Sequence, residues 1–256
     1  MEELSRDDFT LLVERLLGVG VKHCTLTDGE PLLSRESIAK CEIAAATFPT
    51  VWVVTNGTLE FPDLDVLYIA SLDGNREVHD LIRGADAYDR MRQNLKRSPN
   101  DRIIAICTVN TLNYSILPEI VRCAEDLGML GIIFNWHTPH HMDDPLWLDY
   151  PLRNRCIDEI SKLKETRPEF TLNSFAELEL MRTSEWTKNC PNWFVVSYDA
   201  AGRVKKPCIL GERAICERCG CHVYPSLLAT YSFDGSYPLK LQGCGSAFKA
   251  DTLVGD

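Results

Sequence analysis

The sequence alternates short apolar runs with amphipathic segments of helical period, and this alternation constrains the fold more than any other feature. The strand-like runs are Val21–Leu26, Val51–Thr55, Val66–Ser71, Ile103–Val109 and Leu130–Asn135. Such nearly continuous apolar runs are expected when helices cover both faces of a sheet. Strands that alternate with helices at this spacing form a parallel sheet with right-handed crossovers. The pattern predicts an α/β fold, and by itself it allows an open doubly wound sheet or a full or partial barrel.

Capping patterns mark two of the predicted helix starts. Ser5-x-x-Asp8 begins the first helix, and Ser174-x-x-Glu177 begins a helix after a weaker strand at 170–173, which would add a last unit. From about Cys190 onward the chain changes to a hairpin around Asp199–Gly202, followed by loop-rich sequence. We therefore predict two domains, a barrel-like one at 1–188 and a small cysteine-rich one at 189–256.

Composition and charge exclude several classes of protein. The 27 Lys and Arg residues against 37 Asp and Glu residues give a net charge of −10, which argues against a nucleic-acid or anionic-membrane surface. The sequence has no apolar run long enough to form a transmembrane segment, and its acidic start lacks the apolar core of a signal peptide. We expect a cytoplasmic protein.

Eleven cysteines are a high count, and five of them gather between residues 190 and 221. These five are Cys190, Cys208, Cys216, Cys219 and Cys221. In a reducing compartment, clustered cysteines bind metal more often than they form disulfides. The five exceed the four thiolates that zinc or an iron–sulfur cluster needs. The pattern predicts a metal site and leaves open an iron–sulfur cluster, a structural zinc ion or free thiols.

Polar motifs follow three successive predicted strands. They are Asp28-Gly29-Glu30-Pro31, Val54-Thr55-Asn56-Gly57 and Ser71-Leu72-Asp73-Gly74. Each alone is typical of a tight turn. Their order, together with the segment from His79 to Tyr88, resembles the radical SAM superfamily, whose Gly-Gly-Glu-Pro motif has Asp28 in place of its first glycine in this chain. The resemblance covers about half the chain, up to the region of His137.

The resemblance implies a partial (βα)6 TIM-like barrel with S-adenosylmethionine (SAM) across its strand ends. It assigns six residues to the SAM site: Gly29, Glu30, Ser71, Asp73, Arg83 and Asn110. The backbone at the first two would hold the methionyl amino group, and the next two would face the ribose or the carboxylate. Arg83 would pair with the carboxylate, which suits a guanidinium fork, and Asn110 would lie near the ribose.

The cysteine-rich region is similar to the SPASM or twitch extension of the same superfamily. That likeness implies an auxiliary [4Fe–4S] cluster held by tail cysteines, although their spacing departs from the common SPASM pattern.

One motif of the superfamily is missing. The family holds its SAM-binding [4Fe–4S] cluster with Cys-x3-Cys-x2-Cys after the first barrel strand, and this sequence contains no such triad. Cys24 lies inside a predicted strand and cannot substitute. We therefore expect a barrel that lacks its first strand, an N-terminally truncated chain that is inactive alone, and a functional protein that begins upstream of Met1.

The leading functional hypothesis is a radical SAM enzyme that reductively cleaves SAM to a 5′-deoxyadenosyl radical. The radical would act on an unknown organic substrate, whether a small molecule, a lipid or a peptide, and ferredoxin or flavodoxin would supply the electron. One alternative is a non-catalytic scaffold with a structural zinc or iron–sulfur tail. Another is a metal-dependent barrel hydrolase or aldolase that uses His137, His140 and His141.

Overall fold

The computed structural model describes residues 3–27 and 29–231, so Asp28 of the first motif and residues 232–256 of the predicted cysteine-rich domain lie outside the described residues. The strands are β1 His23–Leu26, β2 Thr50–Thr55, β3 Leu67–Ser71, β4 Ile103–Val109 and β5 Ile132–Trp136. The helices are α1 Arg6–Gly18, α2 Arg35–Thr47, α3 Arg76–Arg83, α4 Ala87–Arg97, α5 Leu117–Asp126, α6 Tyr150–Thr166, α7 Phe175–Leu180 and α8 Val223–Thr230.

The five strands form one parallel sheet in the order β1-β2-β3-β4-β5, which curls into a half-barrel. The last two strands join where the Ala105 N–H donates to the Gly131 carbonyl at 2.7 Å. A parallel bridge between Ile132 and Thr171 adds the weak strand that the sequence predicted at 170–173. The α/β class and the partial barrel are confirmed.

Local sequence explains where the helices begin and end. The Ser5 hydroxyl caps α1 by accepting the Asp8 N–H, and Ser174 with Glu177 forms the predicted capping box of α7. The structure also contains α3, which the sequence pattern did not predict. Its signal was Asn75, whose side chain accepts the Val78 N–H and caps this two-turn helix.

The chain divides into two compact units. One unit comprises Leu4–Asn135 and Asp158–Leu172 and contains the half-barrel. The other comprises Trp136–Ile157 and the described residues from Asn173 onward. In the latter, Tyr198 and Val204 form an antiparallel bridge across the predicted hairpin. The predicted domain boundary at 188/189 stays a prediction.

No helix among residues 3–27 and 29–231 is both long enough and apolar enough to cross a bilayer.

Candidate functional site

The Glu30 carboxylate ties together the loops that follow β1 and β2. Its Oε1 accepts the Thr55 hydroxyl at 2.7 Å and the Leu32 N–H at 3.1 Å, and its Oε2 accepts the Asn56 N–H at 2.8 Å. These bonds occupy the side chain, so Glu30 shapes the strand ends, and a ligand would meet the backbone beside it. That backbone includes Gly29, which is exposed and has a φ of +59° that favours glycine.

The end of β3 and the end of α3 meet in an ion pair. Asp73 is 1% exposed, and its Oδ2 accepts the Arg83 Nε–H at 2.5 Å while its Oδ1 accepts the Thr108 N–H at 2.8 Å. The Arg83 side chain is 33% exposed. Among the described residues, nothing hydrogen-bonds its two terminal nitrogens. Asp73 therefore orients Arg83 and leaves half of the guanidinium fork for another anion.

His79 holds the backbone of Asp73 by a hydrogen bond. Its side chain is fully buried, and its Nδ1 accepts the Asp73 backbone N–H at 3.2 Å. Burial lowers the pKa of His79, although the charges of Asp73 and Asp80 act in the opposite direction. Assigned from this hydrogen bond, the imidazole is neutral with its proton on Nε2, which is buried and has no hydrogen-bond partner among the described residues. The His79 and Tyr88 rings meet edge-on at a centroid distance of 5.9 Å. The sequence motif contained His79 but gave it no role.

Two asparagines shape the turn after β4. Asn113 donates to the Asp73 carbonyl at 2.9 Å and accepts the Asn110 N–H at 2.8 Å. The Asn110 amide is itself engaged, because it donates to the Thr108 carbonyl at 3.0 Å and accepts the Leu112 N–H at 2.8 Å. The predicted site residue Asn110 thus organises the turn, and Asn113, which was not predicted, joins that turn to Asp73.

The structure brings the six predicted SAM-site residues to one edge of one compact unit. They follow β1, β3 and β4 directly or, for Arg83, end the helix after β3. Ser71, at the end of β3, is 7% exposed, and its hydroxyl has no hydrogen-bond partner in the described part of the chain. Carboxyl ends of parallel strands meet at one rim, which is where ligands bind in such folds.

Four tail thiols form a mutual group: Cys190, Cys208, Cys216 and Cys219. Every pair among them interacts electrostatically, and burial together with these neighbours raises the pKa of Cys190 to about 12. The predicted fifth ligand, Cys221, is more deeply buried, and its largest interactions with the four are those with Cys219 and Cys208. Cys216 begins a single 3-10 turn, Cys216–Arg218, and Cys219 follows directly after it.

The four thiols are neighbours but do not converge on one point. Within residues 3–27 and 29–231, no three Cys, His, Asp or Glu side chains are placed to hold a single metal ion. Tetrahedral zinc with Zn–S bonds of about 2.3 Å needs sulfurs about 3.8 Å apart. An iron–sulfur cluster is larger than one ion, and its thiolates therefore stand farther apart.

The predicted histidine site is not assembled. The His137 Nε2 hydrogen-bonds the Asp144 Oδ2 at 2.9 Å. Burial acts to raise the pKa of Asp144, but the hydrogen bonds from His137 and from the Leu146 N–H hold it below its ordinary value. His140 and His141 are exposed, and the three imidazoles are not among any described set of three side chains placed to hold one metal ion.

The loop that contains these histidines fixes the cysteine segment instead. Gly220 donates to the Thr138 hydroxyl at 2.8 Å, and its carbonyl accepts the Trp136 N–H at 2.9 Å. Farther along, the Ile215 N–H donates to the Pro139 carbonyl at 3.3 Å. A Cβ at position 220 would lie 2.1 Å from the Trp136 carbonyl oxygen, so only glycine allows this approach.

Comparisons with known proteins agree with this architecture. No protein-family model matches the chain. The chain is 27% identical to the sporulation killing factor maturation protein SkfB of Bacillus subtilis over 139 residues, which are 51% of this chain and 34% of that protein. It is 33% identical to the GTP 3′,8-cyclase of Chlorobaculum tepidum over 106 residues, which are 38% of this chain and 32% of that protein. The chain therefore matches about a third of the length of each curated relative.

Solved structures show the same fold. Native anSMEcpe with bound AdoMet and Cp18Cys peptide superposes with a TM-score of 0.55 at 17% identity, covering 70% of this chain and 58% of that one. The same protein with AdoMet alone gives a TM-score of 0.55 at 15% identity, covering 70% of this chain and 57% of the other. These proteins and the two curated relatives are radical SAM enzymes. Sequence relatives, strand-end motifs and half-barrel together support membership of the chain in the radical SAM superfamily.

Proposed function

We propose that this chain supplies the SAM-binding surface of a radical SAM enzyme, whose reaction is the reductive cleavage of SAM to a 5′-deoxyadenosyl radical that acts on an organic substrate. The observation that carries the proposal is the ion pair between buried Asp73 and partly exposed Arg83, which presents the open half of a guanidinium at the carboxyl edge of the sheet. The relatives are named for different substrates, so we propose SAM as the ligand of this site and assign no organic substrate.

The residues present fit the methionyl half of SAM. A carboxylate can pair with the free nitrogens of Arg83, which closes helix α3, where a cation is also favoured by the helix dipole. The exposed backbone at Gly29 can approach an ammonium group without a side chain in the way. Ser71 adds a hydroxyl that the described residues leave unpaired. Bound SAM would supply the sulfonium whose cleavage starts the chemistry, and these residues would bind and orient it.

The SAM-binding cluster does not fit the cysteines of this chain. The 256 residues contain no Cys-x3-Cys-x2-Cys spacing. Cys24 lies within β1, and no second cysteine precedes Cys41. We derive no cleavage step from these residues.

We also propose that Cys190, Cys208, Cys216 and Cys219 hold an auxiliary [4Fe–4S] cluster. Their mutual grouping and their all-sulfur donor set support it, since four thiolates are the usual ligands of such a cluster. When bound, the cluster would supply a one-electron redox centre. Of the five predicted ligands, Cys221 is the one that this grouping leaves out.

Arg83 is the residue through which the SAM proposal is tested. Arg83→Ala removes a charge-assisted contact of about 1.5–3 kcal/mol, so we expect SAM to bind roughly ten- to a hundredfold more weakly. Equilibrium dialysis with labelled SAM measures this on the full chain. Because the alanine also leaves the buried Asp73 carboxylate without its cation, Arg83→Lys serves as a second variant that keeps a cation beside Asp73 but loses the fork.

The matched control is Arg90→Ala, because Arg90 is exposed on α4 and forms no ion pair among the described residues. It should bind SAM as the parent does. Failure of the parent to bind SAM, or equal affinity in both Arg83 variants and the parent, would remove SAM from this site.

A further inference from the structure

Arg153 is a buried arginine with unused hydrogen-bond donors. It lies in the first turn of α6 and its side chain is fully buried. Its Nη1 donates to the Cys219 carbonyl at 2.9 Å. Its Nε and Nη2 are buried and have no partner among the described residues. The N–H groups of a buried guanidinium normally all have acceptors, so two guanidinium nitrogens without one indicate that an acceptor is missing.

The charge of Arg153 has no counter-ion in the described part of the chain. No carboxylate pairs with it, and the groups that interact with it electrostatically are Tyr150 and the thiols of Cys219 and Cys156. The rings of Tyr150 and Trp136 lie against the guanidinium, with centroids 4.8 Å and 6.0 Å from its central carbon. Aromatic faces offset part of the cost of burying a charge, but an unpaired buried cation remains strongly unfavourable.

The position of Arg153 indicates which acceptor is missing. It is anchored to the backbone of Cys219 and interacts with the thiol of that residue, which is one of the four mutually grouped cysteines. Thiolates and cluster sulfides are acceptors, and a cluster held by four thiolates is an anion. Arginine suits this place because it cannot deprotonate in a protein interior.

We propose that Arg153 is the counter-ion of an anionic iron–sulfur cluster at Cys190, Cys208, Cys216 and Cys219, and that it raises the cluster's reduction potential. The inference rests on the proposed auxiliary cluster. Net charge and hydrogen bonds to sulfur set cluster potentials. A fixed cation stabilises the reduced cluster, which is the more negative state, more than the oxidised one. Arg153 is therefore a positioning and tuning residue and not a metal ligand.

The test compares three variants of the full chain after anaerobic reconstitution. Arg153→Gln loses the charge and keeps an N–H donor, whereas Arg153→Lys keeps the charge. Arg155→Gln is the matched control, because Arg155 lies two residues along the same helix and is exposed. Iron and sulfide content, far-UV circular dichroism and an EPR-monitored redox titration are measured for each.

We expect Arg153→Gln to lower the reduced-to-oxidised ratio at a fixed potential about tenfold, a shift of about 59 mV for one electron. Arg153→Lys should stay within about threefold of the parent, and Arg155→Gln should match it. Loss of the cluster in Arg153→Gln with retention in Arg153→Lys would equally support a charge partner.

Two results would overturn the inference while the cluster itself stands. One is a loaded Arg153→Gln protein with the parent's potential. The other is equal loss of the cluster or of the fold in the Gln and Lys variants, which would make Arg153 a structural support of the Cys219 loop. A parent chain that takes up no iron and sulfide would refute the auxiliary cluster first, and the role of Arg153 with it.

Discussion

At the scale of single residues, the burial and the hydrogen bond of His79 were not predicted from its place in the sequence motif. His79 is fully buried, accepts the Asp73 backbone N–H, and meets the Tyr88 ring edge-on. Burial lowers its pKa; Arg83 lowers it further, and Asp73 and Asp80 oppose this. His79 is thus neutral in the folded protein and becomes protonated more readily when the chain unfolds.

This asymmetry predicts a pH dependence of stability. Because the pKa of His79 is lower in the folded than in the unfolded state, its stabilisation is complete above about pH 6.5 and is lost as the pH falls, by up to about 1.4 kcal/mol per pH unit. In His79→Asn, the amide oxygen can replace Nδ1 as acceptor but does not titrate. Between about pH 7.5 and about pH 5.5, the free energy of unfolding measured with urea should fall by about 1 kcal/mol less in His79→Asn than in the parent.

The control for this measurement is His141→Asn, because His141 is exposed. It should retain the parent's pH dependence. Desolvation also lowers the pKa values of His23 and His222. The parent and His79→Asn should therefore both still lose some stability at acid pH. An unchanged loss in His79→Asn would show that His79 does not contribute.

At the scale of elements, strand ends and one close backbone approach determine where the functional side chains lie. The Glu30 carboxylate links the loops after β1 and β2, and Asn113 links the turn after β4 to the end of β3. In the other unit, Gly220 hydrogen-bonds Trp136 and Thr138 and fixes the segment that contains Cys216 and Cys219. Each link depends on one residue, so a point mutation can test it.

Gly220→Ala should break the close contact between Gly220 and Trp136, which fixes the segment that contains Cys216 and Cys219. The new Cβ would lie 2.1 Å from the Trp136 carbonyl oxygen, which forces the backbone to move. We expect the free energy of unfolding to fall by at least about 2 kcal/mol, as measured by urea denaturation.

Gly18→Ala is its control, since nothing lies within 4 Å of a Cβ there. Alanine should be neutral or slightly stabilising at that helix position. If Gly220→Ala is as stable as Gly18→Ala, the contact is not specific for glycine.

At the scale of the whole molecule, the cysteine group decides which kind of protein this is. After anaerobic reconstitution we expect iron and sulfide in the full chain, and a higher unfolding temperature because the cluster binds only the folded state. Cys216→Ala and Cys219→Ala should each lower the iron content and abolish that gain. Cys221→Ala should keep the cluster, because Cys221 lies outside the mutual group of four.

Cys41→Ala is the control, since Cys41 is a core thiol with 1% exposure in the other compact unit. It should leave the iron content unchanged. Zinc without sulfide would favour the scaffold with a structural zinc tail, and a chain that takes up neither metal would have free thiols there.

The sequence predicted the features that depend on local pattern. Both capping patterns, the parallel β/α order and the position of the weak strand at 170–173 are seen in the structure. Helix α3 was missed because its eight residues make only about two turns, and its start is marked by the Asn75 cap. The resemblance to the superfamily named Arg83 and Asp73 together, but it assigned both to a ligand, whereas the structure pairs them with each other.

The sequence by itself determined the fold class, the superfamily and the residue types at the strand ends, because periodicity, turn chemistry and motif order are written in neighbouring positions. Only the tertiary structure decided that Glu30 is occupied by its own loops, that four of five tail thiols group together, and that Arg153 is buried without a counter-ion among the described residues. Each of these depends on residues far apart in the chain. Their approach is set by how loops close and which charges lose water, and no local pattern encodes either.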